Sequence, residues 1–353
     1  MKLQKLALGT AVAAACGVGM AGNANADALA QSLLTINNFV ITNGSGTPLA
    51  LSDFSQLSFI DTLTNDAILN GATDHHQVQS TGFAPVTDAA QACVGTGCPG
   101  ENVFTSVGTP PTDTYARSDS LLTGQPISGT GQPVGANASA IAVTSLSTDA
   151  TGGSSSDILL TSGFTFVATH DIAQAGFSFD ATTFLQAWTA AGTTDPTGAG
   201  AGFKWELTLV DAVTGDTLID WIPNGNTGSG TQEGLTVSAE GCNLARNASA
   251  TFDQPSPPTQ DCSGHFAATS NVVLLGGHRY TFTIDHHVTT QATEVTAVPE
   301  PGTLALLSVG LIGFGWASRK RHNGCLPVRD RYRRRGRYRG VEAPAVGTAP
   351  GGK

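Results

Sequence analysis

The sequence predicts an all-β ectodomain of β-sandwich or jelly-roll type, followed by a single C-terminal transmembrane helix. Three observations carry that expectation. Short runs alternating apolar and polar residues recur through the middle of the chain, with turn residues between them. Composition favours small polar residues over charge: 43 of 353 residues are Gly, two are Met and 12% are charged, which suits a turn-rich secreted sheet protein. One uncharged apolar run near the C-terminus, Thr303 to Ser318, ends in the basic cluster Arg319-Lys320-Arg321.

Residues 1–26 read as an export signal. Lys2 and Lys5 supply the charged start, Leu6 to Met20 is apolar and small, and Ala24-Asn25-Ala26 is a cleavage site of A-x-A type. The cut falls between Ala26 and Asp27, which implies the Sec translocon and signal peptidase as partners. Three alanines precede Cys16, without the Leu of a lipoprotein signal, so export without lipidation is the better reading.

The ectodomain spans residues 27–290. Its first part, 27–136, reads as loop-rich. Leu33 to Ile41 forms a strand before the Asn43-Gly44 turn, and Ser58 to Ile60 forms a second, shorter one. Residues 70–135 are rich in Gly, Pro, Thr and Asp with little periodicity, which predicts long loops around short strands. The second part, 137–290, is regular. Strands are expected at Ala140–Val143, Gly163–His170 and Gly176–Asp180, while Ala181 to Ala191 fits either a helix or a strand.

Lys204 to Val210 alternates strictly, with Trp205, Leu207 and Leu209 on one face. Thr217 to Trp221 returns after a turn containing Asp211, Thr214, Gly215 and Asp216. Further strands are expected at Leu235–Ala239, Ala248–Phe252, Val272–Leu275 and Arg279–Thr289. In the last of these, Tyr280, Phe282, Ile284, His286 and Val288 share one face. Residues 291–298 form a linker, 299–321 the anchor segment and 322–353 a basic, disordered tail.

Charge is distributed unevenly. Between Asp27 and Val298 there are four basic residues (Arg117, Lys204, Arg246 and Arg279) against 24 acidic ones, a net of −20. Such a surface repels nucleic acid, and it suits an extracellular protein that meets divalent cations or simply stays soluble. The run Arg329 to Arg339 would suit RNA in isolation, but behind a membrane span it reads as a solvated extension.

The ectodomain holds four cysteines, Cys93, Cys98, Cys242 and Cys262, an even number suited to pairing in an oxidising compartment. Local pairing, Cys93 with Cys98 and Cys242 with Cys262, is the simplest of three connectivities.

Pro299, Glu300, Pro301 and Gly302 stand directly before the apolar run, and the prolines bar helix on their N-terminal side. As a helix, residues 303–318 would reach about 24 Å, which crosses a membrane with help from the basic stop at Arg319, Lys320 and Arg321. This order of motif, span and basic stop resembles the PEP-CTERM sorting signal of Gram-negative bacteria. The resemblance implies an exosortase as partner, cleavage near Pro-Glu-Pro, and transfer of the ectodomain from a transient membrane anchor to the cell surface or extracellular matrix. The chain departs from the usual pattern by running on to Lys353.

Few residues suggest chemistry. Asp74-His75-His76 and Asp285-His286-His287 repeat one tripeptide, and His170-Asp171 is a third pair. Imidazole and carboxylate together suit Zn²⁺ or a related cation. Adjacent histidines on a strand point to opposite faces, so a shared ion needs both tripeptides brought together by sheet pairing. Histidines at strand surfaces are the plainer reading. No Ca²⁺ loop and no Gly-x-Ser-x-Gly nucleophile motif occurs in the ectodomain. Trp188, Trp205 and Trp221 serve either a sugar-binding platform or the core. The expectation is a non-enzymatic protein without a cofactor, structural or adhesive in an exopolysaccharide matrix, biofilm or floc. A carbohydrate-binding module is the alternative, and a hydrolase follows behind it.

Overall fold

The structure is a computed structural model that describes residues 27–190, 196–226, 231–251 and 260–295. These lie within one unit, Met1–Ala297, while Val298–Lys353 form a second unit outside the described residues. The signal segment, the sorting motif, the expected span 303–318 and the basic tail are therefore also outside them.

The described residues form sixteen strands. They are β1 (Ala28–Thr42), β2 (Phe54–Ser58), β3 (Ile60–Leu69), β4 (Ala72–Thr81), β5 (Val86–Gly95), β6 (Tyr115–Thr123), β7 (Ala136–Leu146) and β8 (Ala150–Ala168). There follow β9 (Gly176–Thr189), β10 (Gly198–Asp211), β11 (Thr217–Ile222), β12 (Thr231–Glu233), β13 (Leu235–Glu240), β14 (Ala245–Thr251), β15 (Gln260–Ser270) and β16 (Arg279–Glu294).

They make two antiparallel sheets. One runs β13-β15-β9-β1-β7-β6-β5. The other runs β12-β11-β10-β16-β8-β3-β4, with β14 on β10 and β2 on β8. The all-β, two-sheet expectation holds, with twice the strands of an eight-stranded jelly roll. Ala181 to Thr189 is strand, and no helix among the described residues is long and apolar enough to cross a membrane.

The core sits between the sheets and is aromatic at its centre. Trp205 packs on Phe179 at 4.5 Å and edge-on to Trp221 at 5.6 Å, while Phe179 stacks on Phe266 at 4.8 Å. Period-2 alternation puts these rings inside: on β10, Phe203, Trp205, Leu207 and Leu209 are buried while the residues between them are half-exposed. The β10–β11 turn closes as expected. Asp211 Oδ1 accepts from the Val213 and Thr214 amides, and those donors hold its carboxyl below the usual range.

Three expectations are corrected. Residues 70–135 hold three strands of nine or ten residues, β4, β5 and β6, rather than long loops. Val272 to Leu275 is no strand; only Leu274 pairs, in an isolated bridge to Ile172, and Val273 and Leu275 stay exposed. Strand β16 runs on to Glu294, so residues 291–294 belong to the sheet rather than to the linker. The loop-rich and regular segments also interleave, since β1 lies between β7 and β9.

Both local disulfides are present, Cys93–Cys98 and Cys242–Cys262, with Cα separations of 6.6 and 6.4 Å. The second closes a separation of 20 residues. Replacing Cys242 and Cys262 together by Ser is expected to lower stability by about 3 kcal/mol, through the freedom restored to the unfolded chain. Replacing Cys93 and Cys98 should cost about 2 kcal/mol, because the loop is shorter. Urea midpoints of the two double variants test this order.

Candidate functional site

The Asp/His residues lie on the nine-stranded sheet, and the alternation of each strand decides where they point. On β16, Asp285 and His287 face outward and His286 faces the core. On β4, His75 faces outward, while Asp74 and His76 lie on the opposite face. The two tripeptides thus share a sheet, but β8 and β3 run between them. Three ladder steps separate their strands by about 14 Å, too far for one ion with ligands near 2 Å.

Each outward histidine instead pairs with an aspartate on the neighbouring strand. His75 Nδ1 lies 2.5 Å from Asp66 Oδ1, and His287 Nδ1 bonds to Asp157 Oδ1. The Asp157 bond raises the His287 pKa against the opposing effect of burial. Asp66 and Asp157 sit diagonally across the β3–β8 ladder, so the four residues form a row. Lys204 continues it on β10, 2.5 Å from Glu206 and 4.0 Å from Asp285. Burial raises the Asp285 pKa. His76 meets Asp74 at 3.2 Å, and the other Asp74 oxygen accepts from the Cys93 amide. His170 and Asp171 lie in the loop after β8, where Asp171 accepts from the Gly276 amide. The row consists of Asp–His pairs and the Lys204 cluster with Glu206 and Asp285. No group of three or more metal-ligating side chains converges among the described residues.

The inward face carries a different feature. A cavity of about 50 Å³ lies between the sheets, with Phe39, Trp205, Gln125, Asp61 and His286 in its wall. His286 is 1% exposed, and its ring nitrogens make no well-formed hydrogen bond among the described residues, the Leu34 backbone being the polar group that acts on the ring. Burial holds its pKa down to about 3, so the imidazole is neutral. Asp61 is 3% exposed, burial lifts its pKa to about 6, and its Oδ1 lacks a partner. The volume suits a few water molecules, which would satisfy these atoms, and is far below that of a sugar site.

Sequence reasoning missed the buried ionisable groups Asp61, Arg117, Asp119 and Glu294, and the partners Asp66 and Asp157. Arg117 and Asp119 lie on the outer face of β6 beneath residues 96–113. There Arg117 Nη2 donates to the Val103 carbonyl at 2.7 Å, and the Asn102 amide donates to Asp119 Oδ2 at 2.6 Å. The tryptophans resolve toward packing. Trp205 and Trp221 are 1% and 0% exposed, and Trp188 is half-buried at the edge of a small apolar cluster that includes Leu29, its neighbour across the β1–β9 ladder, so the first two cannot serve a sugar platform.

Asp27 and Glu294, which flank the described unit, come to the same end of the sandwich. Ala28 pairs with Leu146 at the end of β7, and Glu294 pairs with Ala150 at the start of β8. Glu294 is raised to about 7 by burial first and by the charges of Asp27 and Asp149 next. Asp27 and Glu294, the first and nearly the last of the described residues, thus share one pole of the sandwich.

A family model described as the PEP-CTERM protein-sorting motif matches residues 297–321. The match covers Pro299 to Gly302, the apolar run and the basic stop. Such a motif marks an exported protein sorted by exosortase and held at its C-terminus for that step. No curated protein and no solved structure matches the chain.

Proposed function

We propose that this chain, a PEP-CTERM domain-containing protein, is delivered to the cell surface or exopolysaccharide matrix and acts there as a structural or adhesive module without enzymatic activity. The observation that carries the reading is the sorting motif, which follows a two-sheet unit in the chain. Three further features support it. The ectodomain is strongly acidic, it is stapled by two disulfides, and its Asp/His residues form isolated surface pairs. An acidic body of this kind suits contact with hydrated polysaccharide.

Mass spectrometry of the mature protein tests the sorting step. Wild type should begin at Asp27 and end near Pro299 to Gly302, and Glu300→Ala should retain the chain through Lys353 and stay with the membrane. An intact C-terminus in released wild-type material overturns the reading. For the matrix role, a strain lacking the protein should lose floc or biofilm cohesion. Unchanged cohesion removes that part while leaving the sorting step standing.

A further inference from the structure

Edge strands expose unpaired backbone groups, and proteins blunt them by shortness, bulges or charge. Most edges here follow that rule. β12 has three residues, β2 has five and a register shift, and β13 and β5 carry bulges against their partners. β14 carries Arg246. β4 follows it least. It is ten residues long, contains no Pro, Lys or Arg, carries its one carboxylate, Asp74, on the face opposite its outward side chains, and pairs with β3 residue by residue from Ile60–Thr81 to Leu69–Ala72 without a shift.

The turn between them sets which backbone groups are free. Asn70 and Gly71 have φ of 50° and 82°, a two-residue turn of type I′, which makes Leu69 and Ala72 a hydrogen-bonded pair. Alternation then turns the N–H and C=O of Thr73, His75, Gln77, Gln79 and Thr81 away from β3. Among the described residues no strand pairs with that side. The side chains of these five residues are exposed, and none is a carboxylate, although the ectodomain carries a net charge of −20.

We propose that β4 pairs antiparallel with β4 of a second copy, about a two-fold axis through Gln77. Gln77 then faces Gln77, His75 faces Gln79 and Thr73 faces Thr81. No like charges oppose, and about ten backbone hydrogen bonds form. Asp74 stays on the far face, occupied by His76 and the Cys93 amide. The contact is isologous, so it closes as a dimer instead of growing into a filament. It goes beyond sorting and matrix residence and stands whether or not they hold.

Gln77→Cys in the full chain tests it. Cα atoms of a hydrogen-bonded antiparallel pair lie about 5.5 Å apart, within disulfide reach. A reducible dimer band should appear above the wild-type background, which Cys16 and Cys325 set. Val213→Cys, 71% exposed in the β10–β11 turn, should stay at that background. No band from Gln77→Cys, or equal bands from both variants, overturns the proposal. Gln77→Lys places ammonium opposite ammonium and should weaken the dimer about tenfold in sedimentation, with the far-UV circular dichroism of the folded chain unchanged. A wild-type monomer at micromolar concentration is equally fatal.

Discussion

Trp205→Ala is expected to lower the unfolding free energy by about 4 kcal/mol, the largest effect of any single substitution considered. The ring is 1% exposed and contacts Phe39, Phe179 and Trp221 at 6.3, 4.5 and 5.6 Å. Truncation removes both the transfer energy of the indole and its dispersion contacts. It also opens a void beside the existing cavity, whose wall Trp205 already forms. Trp205→Phe keeps a ring in place and should cost about 2 kcal/mol. His75→Ala, on the open face, should cost less than about 0.5 kcal/mol. Urea titrations followed by tryptophan fluorescence give these values as midpoint shifts at constant slope. A loss below about 1 kcal/mol for Trp205→Ala would mean that the ring is not in the core. It would also reopen the sugar-platform reading, in which glycan binding changes and stability does not.

The strands legible in the sequence are those whose inner face is apolar and whose outer face is polar. β10 and β16 show this: Trp205, Leu207 and Leu209, then Tyr280, Phe282 and Val288, repeat at period two and are buried. The same period placed His286 inward and His287 outward. β6 was illegible because it buries polar residues on both faces. Arg117 and Asp119 are covered by residues 96–113, while Ser118 and Ser120 bond inward to Asp66 O and Asn65 Oδ1. β4 was illegible for the opposite reason, since an edge strand needs few apolar residues and Val78 is its only large one. The Gly-Gly-Ser-Ser stretch near the start of β8, residues 152–155, has no apolar alternation to mark it as strand. Yet a Cβ at Gly152 would stand 3.0 Å from Ile68 O, so close backbone approach requires a small residue there.

The site followed the same logic. Histidine partners lie on neighbouring strands, and pairing of that kind is a property of register. Asp157 meets His287 because β8 and β16 align at that pair, 130 residues apart in the chain. No local pattern announces it. The sorting motif needs no register, since Pro299 to Gly302, the apolar run and the basic cluster are contiguous, and the family match at 297–321 takes in all three.

Stability should rise as pH falls from 8 to 5, by on the order of 2–3 kcal/mol. Burial raises Asp61 and Asp119 to about 6 and Glu294 to about 7, against ordinary values of 3.8, 3.8 and 4.5. A carboxyl with a raised folded pKa binds its proton more tightly in the folded state. Its stabilisation is complete below the unfolded value and is lost as pH rises through the folded one. For these three groups the window runs from about 4 to about 7. His286 works the other way. Its pKa falls from 6.5 to about 3, so its contribution is present above 6.5 and declines in acid. Near pH 5 the three carboxyls outweigh the one imidazole, and below about 4 the gain levels off. Neighbouring charges set the details: Asp27 and Asp149 raise Glu294, while the Asn102 amide and Arg117 lower Asp119. Relief of repulsion in the acidic ectodomain acts in the same direction. Thermal melts of the full chain should therefore show a melting temperature about 5 °C higher at pH 5 than at pH 8. Asp61→Asn and Glu294→Gln should each raise the pH 8 value and flatten the profile, because an amide carries no charge to bury. A melting temperature that is level or falls between pH 8 and pH 5 would show that these carboxyls are ionised and solvated in the folded protein.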